Sequence, residues 1–245
     1  DRPRPARQSF KGARQSVELS SAVTQGLKSL SRKRGVTVYM TLLAAFQILL
    51  HRYTGQDDIV VGSPIANRNR MEIEGLIGFF VNTLVLRTNV SNNPTFADLL
   101  HRVRETALEA YAHQDLPFEK LVEELRPERD LSRSPLFQVM FVFQNASPRE
   151  LKFKGLNVSP MRITADTTKF DLTLSVHEEA FGFRVGLQYS TDLFHEETMT
   201  RMLDHFQVLL ESIVSQPDRR IDDLPILTET ERHQLLAWSD TREDY

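Results

Sequence analysis

Residues 38–53 read Val-Tyr-Met-Thr-Leu-Leu-Ala-Ala-Phe-Gln-Ile-Leu-Leu-His-Arg-Tyr, apolar on nearly every side of a 3.6-residue turn. A helix of that kind has no face to give to water, so other elements of the chain must enclose it. It is not a membrane span. Its apolar stretch, residues 40–50, is interrupted by Thr41 and Gln47 and is shorter than the roughly 18 residues a bilayer helix needs.

The enclosing elements can be read from periodicity. Leu19, Val23, Leu27 and Leu30 recur at helical spacing, with Ser20 placed to cap the start and Gly35 just past a basic last turn of Arg32, Lys33 and Arg34. Phe96, Leu99, Leu100, Val103 and Ala107 form a second stripe, announced by Asn92-Asn93-Pro94-Thr95. Met199, Met202, Leu203, Phe206, Leu209, Leu210 and Ile213 form a third that stops at Gln216-Pro217. Strands are expected around residues 14–19, 59–65, 81–86 and 137–143, with 81–86 apolar enough to be buried on both faces. Phe170, Leu172, Leu174 and Val176, then Phe181, Phe183, Val185, Leu187 and Tyr189, alternate with polar residues, as in a hairpin with one wet face. Helices alternating with strands ahead of a hairpin give an α/β class, a mixed sheet with flanking helices. Residues 1–12, rich in Pro and Arg, read as an extended connector.

Composition removes several functions. The 30 basic and 33 acidic side chains leave a net charge of -3, so no field favours nucleic acid or an anionic membrane. With no cysteine there is no disulfide, thiolate nucleophile or thiolate zinc site, which fits a cytoplasmic setting. The basic residues 1–5 have no apolar stretch behind them, so no secretory leader is expected, and the sequons at Asn89, Asn145 and Asn157 carry no weight. Metal-like spacings at His195-Glu196-Glu197 and at His101 with Glu105 offer too few ligands and read as solvated helix faces, so no metal site is expected.

Three blocks remain that periodicity does not use up. The first is Ile77-Gly78-Phe79-Phe80-Val81-Asn82-Thr83-Leu84. Gly78 permits close backbone approach, and Asn82 and Thr83 lead an interior strand, where polar groups need partners. They either face a cavity and orient a ligand or make satisfied structural bonds. The second is His113-Gln114-Asp115-Leu116-Pro117-Phe118-Glu119, which opens a helix: Asp115 can cap it, Pro117 suits its first turn, and Phe118, Leu121, Val122 and Leu125 form its stripe. His113 and Gln114 are left for a structural hydrogen bond or a ligand-facing role. His113 is a poor candidate for a main base, having no carboxylate at suitable spacing. The third is Arg129-Asp130-Leu131-Ser132-Arg133-Ser134-Pro135-Leu136, dense in donors and acceptors, as in a half-buried loop pinned by ion pairs.

These blocks in this order, with Ser63-Pro64-Ile65-Ala66-Asn67-Arg68 and Phe141-Val142-Phe143-Gln144-Asn145, closely resemble the later motifs of condensation domains from nonribosomal peptide synthetases. The resemblance covers residues 1–226 and implies one lobe, the C-terminal one, of a chloramphenicol acetyltransferase-like fold. It implies amide formation between carrier-bound acyl or peptidyl and aminoacyl thioesters, in a tunnel between two lobes. The family's His-His-x-x-x-Asp-Gly motif is absent, since the 7 histidines include no adjacent pair. The chain alone is then expected to be inactive, with no catalytic residue of its own. Asn82, Thr83, His113 and Gln114 become tunnel or interlobe candidates, and Gly78, Asp115, Arg129, Asp130, Ser132 and Arg133 structural ones.

The implied partners are the N-terminal lobe, peptidyl carrier proteins and an adenylation domain beyond the polar linker at 227–245, which opens with the capping box Thr228-Glu229-Thr230-Glu231. No cofactor is implied beyond the phosphopantetheine carried by those partners. A lobe cut from its tunnel should expose unusual apolar surface and tend to self-associate. Alternatives are a non-catalytic docking module, an epimerisation-type homologue and a free-standing acetyltransferase-like enzyme.

Overall fold

The computed structural model describes residues 1–68, 71–128, 130–144, 156 and 166–239. The apolar segment forms helix α2, Val38–Thr54, and every residue from Met40 to Leu50 is buried. Both polar interruptions find a partner inside the core, although Gln47 Oε1 is buried and accepts no hydrogen bond among the described residues. Thr41 Oγ1 shares a hydrogen bond with Ser31 Oγ at 2.7 Å, and Gln47 donates through Nε2 to Thr88 Oγ1 at 3.0 Å.

Helices α1 (Ser21–Arg34), α4 (Phe96–Ala112) and α6 (Glu196–Ser215) surround α2 and share its core cluster. Their ends follow the sequence signals. Ser20 accepts the Val23 N–H, Gly35 closes α1 at φ 65°, and Thr95 with Asp98 forms a full capping box. Met71–Glu74 is a single turn, α3, and Phe118–Leu125 is a short helix, α5.

These helices close over a six-stranded sheet of β1 (Gly12–Glu18), β2 (Asp58–Ile65), β3 (Asn82–Asn89), β4 (Val139–Gln144), β5 (Leu172–Glu179) and β6 (Gly182–Ser190). The order is β1-β6-β5-β4-β2-β3, with β4 parallel to both neighbours and the other pairs antiparallel. The mixed α/β class expected from the sequence is the observed one. In the hairpin, Leu174 faces Leu187 and Val176 faces Val185, so the alternating apolar residues of both strands lie on the buried face.

The expectation for residues 81–86 needs correction. β3 is an edge strand whose residues alternate buried and more exposed, and Val81 lies outside it with 48% of its surface in water. Its inner face packs on the core, while its outer face has no long helix over it among the described residues, so the apolar run is only half enclosed.

On the face away from α2, β2 and the approach to β4 are packed through Gly62. A Cβ on Gly62 would come within 2.2 Å of the Phe137 ring, so the ring lies flat where only glycine leaves room. Phe137 also meets Phe118 at 5.6 Å and Phe170 at 5.3 Å between centroids, which seats the start of α5 against the sheet. The rest of the expected α5 stripe is not buried: Leu121 and Val122 are half-buried and Leu125 is exposed.

Helix α7, Glu229–Ser239, is tied to the core. The expected capping box forms at Thr228 and Glu231, and Glu231 also meets His205 Nε2 at 3.0 Å, while His205 Nδ1 bonds the Tyr53 hydroxyl at 2.7 Å. The buried His205 thus links α2, α6 and α7. Among the described residues, no single helix is long and apolar enough to cross a membrane.

Candidate functional site

The first two sequence blocks meet at Asn82. Placed at the head of β3 and buried, it donates through Nδ2 to the carbonyls of Gln114 and Leu116, each at 2.8 Å. Its Oδ1 accepts the N–H of Thr83 at 2.9 Å and of Phe118 at 3.1 Å. Both amide hydrogens and both lone pairs of the oxygen are engaged, which is the full capacity of the group. Asn82 therefore clasps the turn between α4 and α5 to the sheet.

This clasp corrects the expected cap of α5. The N-cap position expected for Asp115 falls to Pro117, which offers no side-chain acceptor, and the Phe118 N–H is taken by Asn82 Oδ1. His113 ends α4 with an exposed side chain, and its carbonyl accepts the Leu116 N–H at 3.1 Å. Gln114 and Thr83 are half-buried next to the clasp.

The third block is held by a different route. Asp130 Oδ1 accepts the Ser132 N–H at 2.7 Å, and this bonding to Ser132 holds the Asp130 carboxyl below the usual range. Arg133 meets Asp130 at 3.3 Å, but both side chains are exposed, so this pair adds little. The stronger restraint comes from the N-terminal connector. Arg4 reaches across to donate to the Ser132 carbonyl at 3.0 Å and pairs in bidentate fashion with Asp171, which is only 8% exposed. Gln8 N–H adds a bond to the Leu131 carbonyl at 3.1 Å. Residues 1–12 are thus a strap, and Ser132 is the buried member of the block. Arg129 lies outside the described residues.

Between α5, the loop at 126–136 and Ala6 of the strap lies a cleft of about 1440 Å³, lined among others by Val122, Glu123, Arg126, Leu131 and Leu136. Its walls mix acidic, basic and apolar groups.

Sequence reasoning assigned no role to Arg68, which organises the loop between β2 and β3. Its Nη1 donates to the carbonyls of Ile73 at 2.6 Å and Leu76 at 2.8 Å, with Glu74 at 3.4 Å, and its Nη2 donates to Gly78 at 3.3 Å. The guanidinium also sits 4.3 Å from the centroid of the Phe80 ring. With the loop's carbonyls turned inward to Arg68, its apolar side chains stand outward: Ile77 is fully exposed and Phe79 is 90% exposed, with Met71 and Leu76 beside them. The only sequence signal for this was an arginine closing a strand ahead of an apolar stretch, which periodicity does not register.

The histidines do not assemble a base. His51 lies between Asp57 and Asp222, His101 beside Glu105 and His195 beside Arg2, while His205 is enclosed by Tyr53 and Glu231. His177 is depressed below its usual pKa by burial and by the nearby Arg14, and it stands on β5. Among the described residues, no group of three or more His, Cys, Asp or Glu could hold a metal ion. The described residues thus present two clasped loops, an apolar crest and a mixed cleft.

Comparison with known proteins places this surface in context. The family described as Condensation domain matches residues 1–236. A linear gramicidin synthase of Brevibacillus parabrevis is 55% identical over all of this chain, which spans 5% of that relative's length. A four-domain nonribosomal peptide synthetase bound to AMP and glycine superposes with a TM-score of 0.87 at 26% identity, over 95% of this chain and 19% of that one. The X-domain in complex with OxyB from teicoplanin biosynthesis superposes with a TM-score of 0.84 at 29% identity, over 94% of this chain and 51% of that one. A family match across nearly the whole chain, a relative identical at more than half its positions and a shared fold agree with the three motif blocks: the chain belongs to the condensation-domain family of nonribosomal peptide synthetases.

Proposed function

We propose that this chain is the second, C-terminal lobe of a condensation domain and supplies one wall of a tunnel whose proton-handling histidine belongs to the first lobe. The observation that carries the reading is the apolar crest at residues 71–81, where Ile77 and Phe79 are presented to solvent by an ordered loop. Exposed apolar side chains on a built support mark a contact surface. The chain's span of 51% of the X-domain chain fits a first lobe as the occupant.

In the joined domain the acceptor amine, once deprotonated, attacks the donor thioester carbonyl. The new C–N bond forms as the C–S bond breaks and the carrier's pantetheine thiol leaves. The present chain shapes the tunnel around that step, with Thr83, His113 and Gln114 beside the Asn82 clasp. Residues 1–226 form the lobe, and 227–245 lead toward an adenylation domain. Carrier proteins present the substrates on phosphopantetheine, and the lobe binds no cofactor of its own. The test is an amide-formation assay with both substrates loaded on carrier proteins. The isolated chain should show no turnover, and the chain joined to a first lobe should; turnover by the isolated chain overturns the reading.

A second reading, a docking lobe without catalysis, is favoured by the cleft beside α5 and by likeness to an X-domain solved in complex with another protein. It predicts that the joined protein stays inactive while it still binds a partner.

A further inference from the structure

We propose that Arg68 is a positioning residue that preforms the crest for the first lobe. This rests on the lobe reading above. Four carbonyls of one loop converge on a single guanidinium, three around Nη1 and one at Nη2, so the loop is held by two nitrogens of a fixed planar fork, which the single nitrogen of a lysine does not reproduce. The fifth contact is the Phe80 ring, whose centroid lies 4.3 Å from the guanidinium.

Gly78 supports the same arrangement from the opposite end. A Cβ there would stand 3.0 Å from Phe80, so glycine lets the ring lie over Arg68 while the Gly78 carbonyl turns in. The two residues carry the backbone and one ring inward, and this leaves Ile77 and Phe79 no direction but outward. A flexible apolar loop would collapse onto the nearest surface and would have to be reordered on contact. A wound one meets its partner with that ordering already done.

The pattern also separates Arg68 from an ordinary stability residue. Among the described residues, its bonds run to one short loop between β2 and β3, so losing them should free that loop and leave the core untouched.

The experiment uses hydrogen–deuterium exchange on this chain alone and on this chain joined in one polypeptide behind the first lobe of the linear gramicidin synthase relative. In the isolated chain, Arg68→Ala should speed exchange at residues 71–81 by about tenfold, leave α2 and β6 exchange and the thermal midpoint unchanged, and be only partly rescued by Arg68→Lys. Gly78→Ala should loosen the same residues in an otherwise wild-type chain. In the joined protein, Arg68→Ala should lower amide formation by roughly tenfold.

Unchanged crest exchange in Arg68→Ala overturns the inference, as does loosening that spreads through the core or full rescue by lysine. Failure of the lobe reading is visible separately: the wild-type crest would then exchange as fast in the joined protein as in the isolated chain. The isolated-chain measurements decide the role of Arg68 in either case.

Discussion

Asn82 and Arg68 do the same thing in opposite settings. Each gathers several backbone groups of a neighbouring loop onto one side chain: Asn82 takes two carbonyls and two N–H groups, and Arg68 takes four carbonyls and a ring. Asn82 works inside the fold, where a lost partner leaves buried polar groups with no water to replace it. Arg68 works at the rim, where freed carbonyls can turn to solvent. The same device therefore welds one loop to the sheet and holds the other with its apolar side chains turned to solvent. A motif residue with a full set of structural bonds can matter as much as one that touches substrate.

The largest effect that would sharpen this contrast is at the weld. Asn82→Ala strands two carbonyls and the Phe118 N–H, and should lower unfolding free energy by about 2–4 kcal/mol in urea titrations. Asn82→Asp should be nearly as harmful, because its oxygens cannot donate to Gln114 and Leu116. A loss below roughly 1 kcal/mol would erase the distinction between weld and rim. Next comes the strap. Arg4→Ala breaks the half-buried pair with Asp171 and the bond to Ser132, for a loss of about 1–2 kcal/mol by the same titration, and should loosen exchange at residues 130–134.

Arg68→Ala should do less, with a change in unfolding free energy under roughly 0.5 kcal/mol. If it destabilised as much as Asn82→Ala, the rim would be a weld as well.

The smallest effect concerns α7. Burial raises the Glu231 pKa, but the bonds from Thr228 and His205 outweigh it, so the folded value lies below the ordinary 4.5. Its contribution is present above pH 4.5 and is lost as pH falls through the lowered folded value. Trp238, the sole tryptophan, lies on α7 and can report this. Its anisotropy should fall on acidification before the circular dichroism of the core changes, and Glu231→Gln should show the low-anisotropy state already at neutral pH. Simultaneous loss of both signals would mean that α7 is not a separable attachment.

Much of this was legible in the residues themselves. The run at 38–53 demanded enclosure, the stripes of α1, α4 and α6 provided it, and the alternation of β5 and β6 showed their buried face. Serine, threonine and glycine marked the helix ends because capping is a matter of a few adjacent residues. The three blocks announced the family, and the missing histidine pair is one ground on which the proposal of a second lobe rests.

Only the tertiary structure decided which polar group serves which backbone. Asp115 was the nearest candidate cap for α5 by sequence, yet Asn82, far away along the chain, takes the N–H. Arg4 belonged to a connector and turned out to strap the third block. Local signals are set by neighbours within a turn or two, so they survive in sequence. A hydrogen bond between remote segments depends on which backbone groups the packed sheet and helices leave unpaired, and that is settled only when the whole chain has closed.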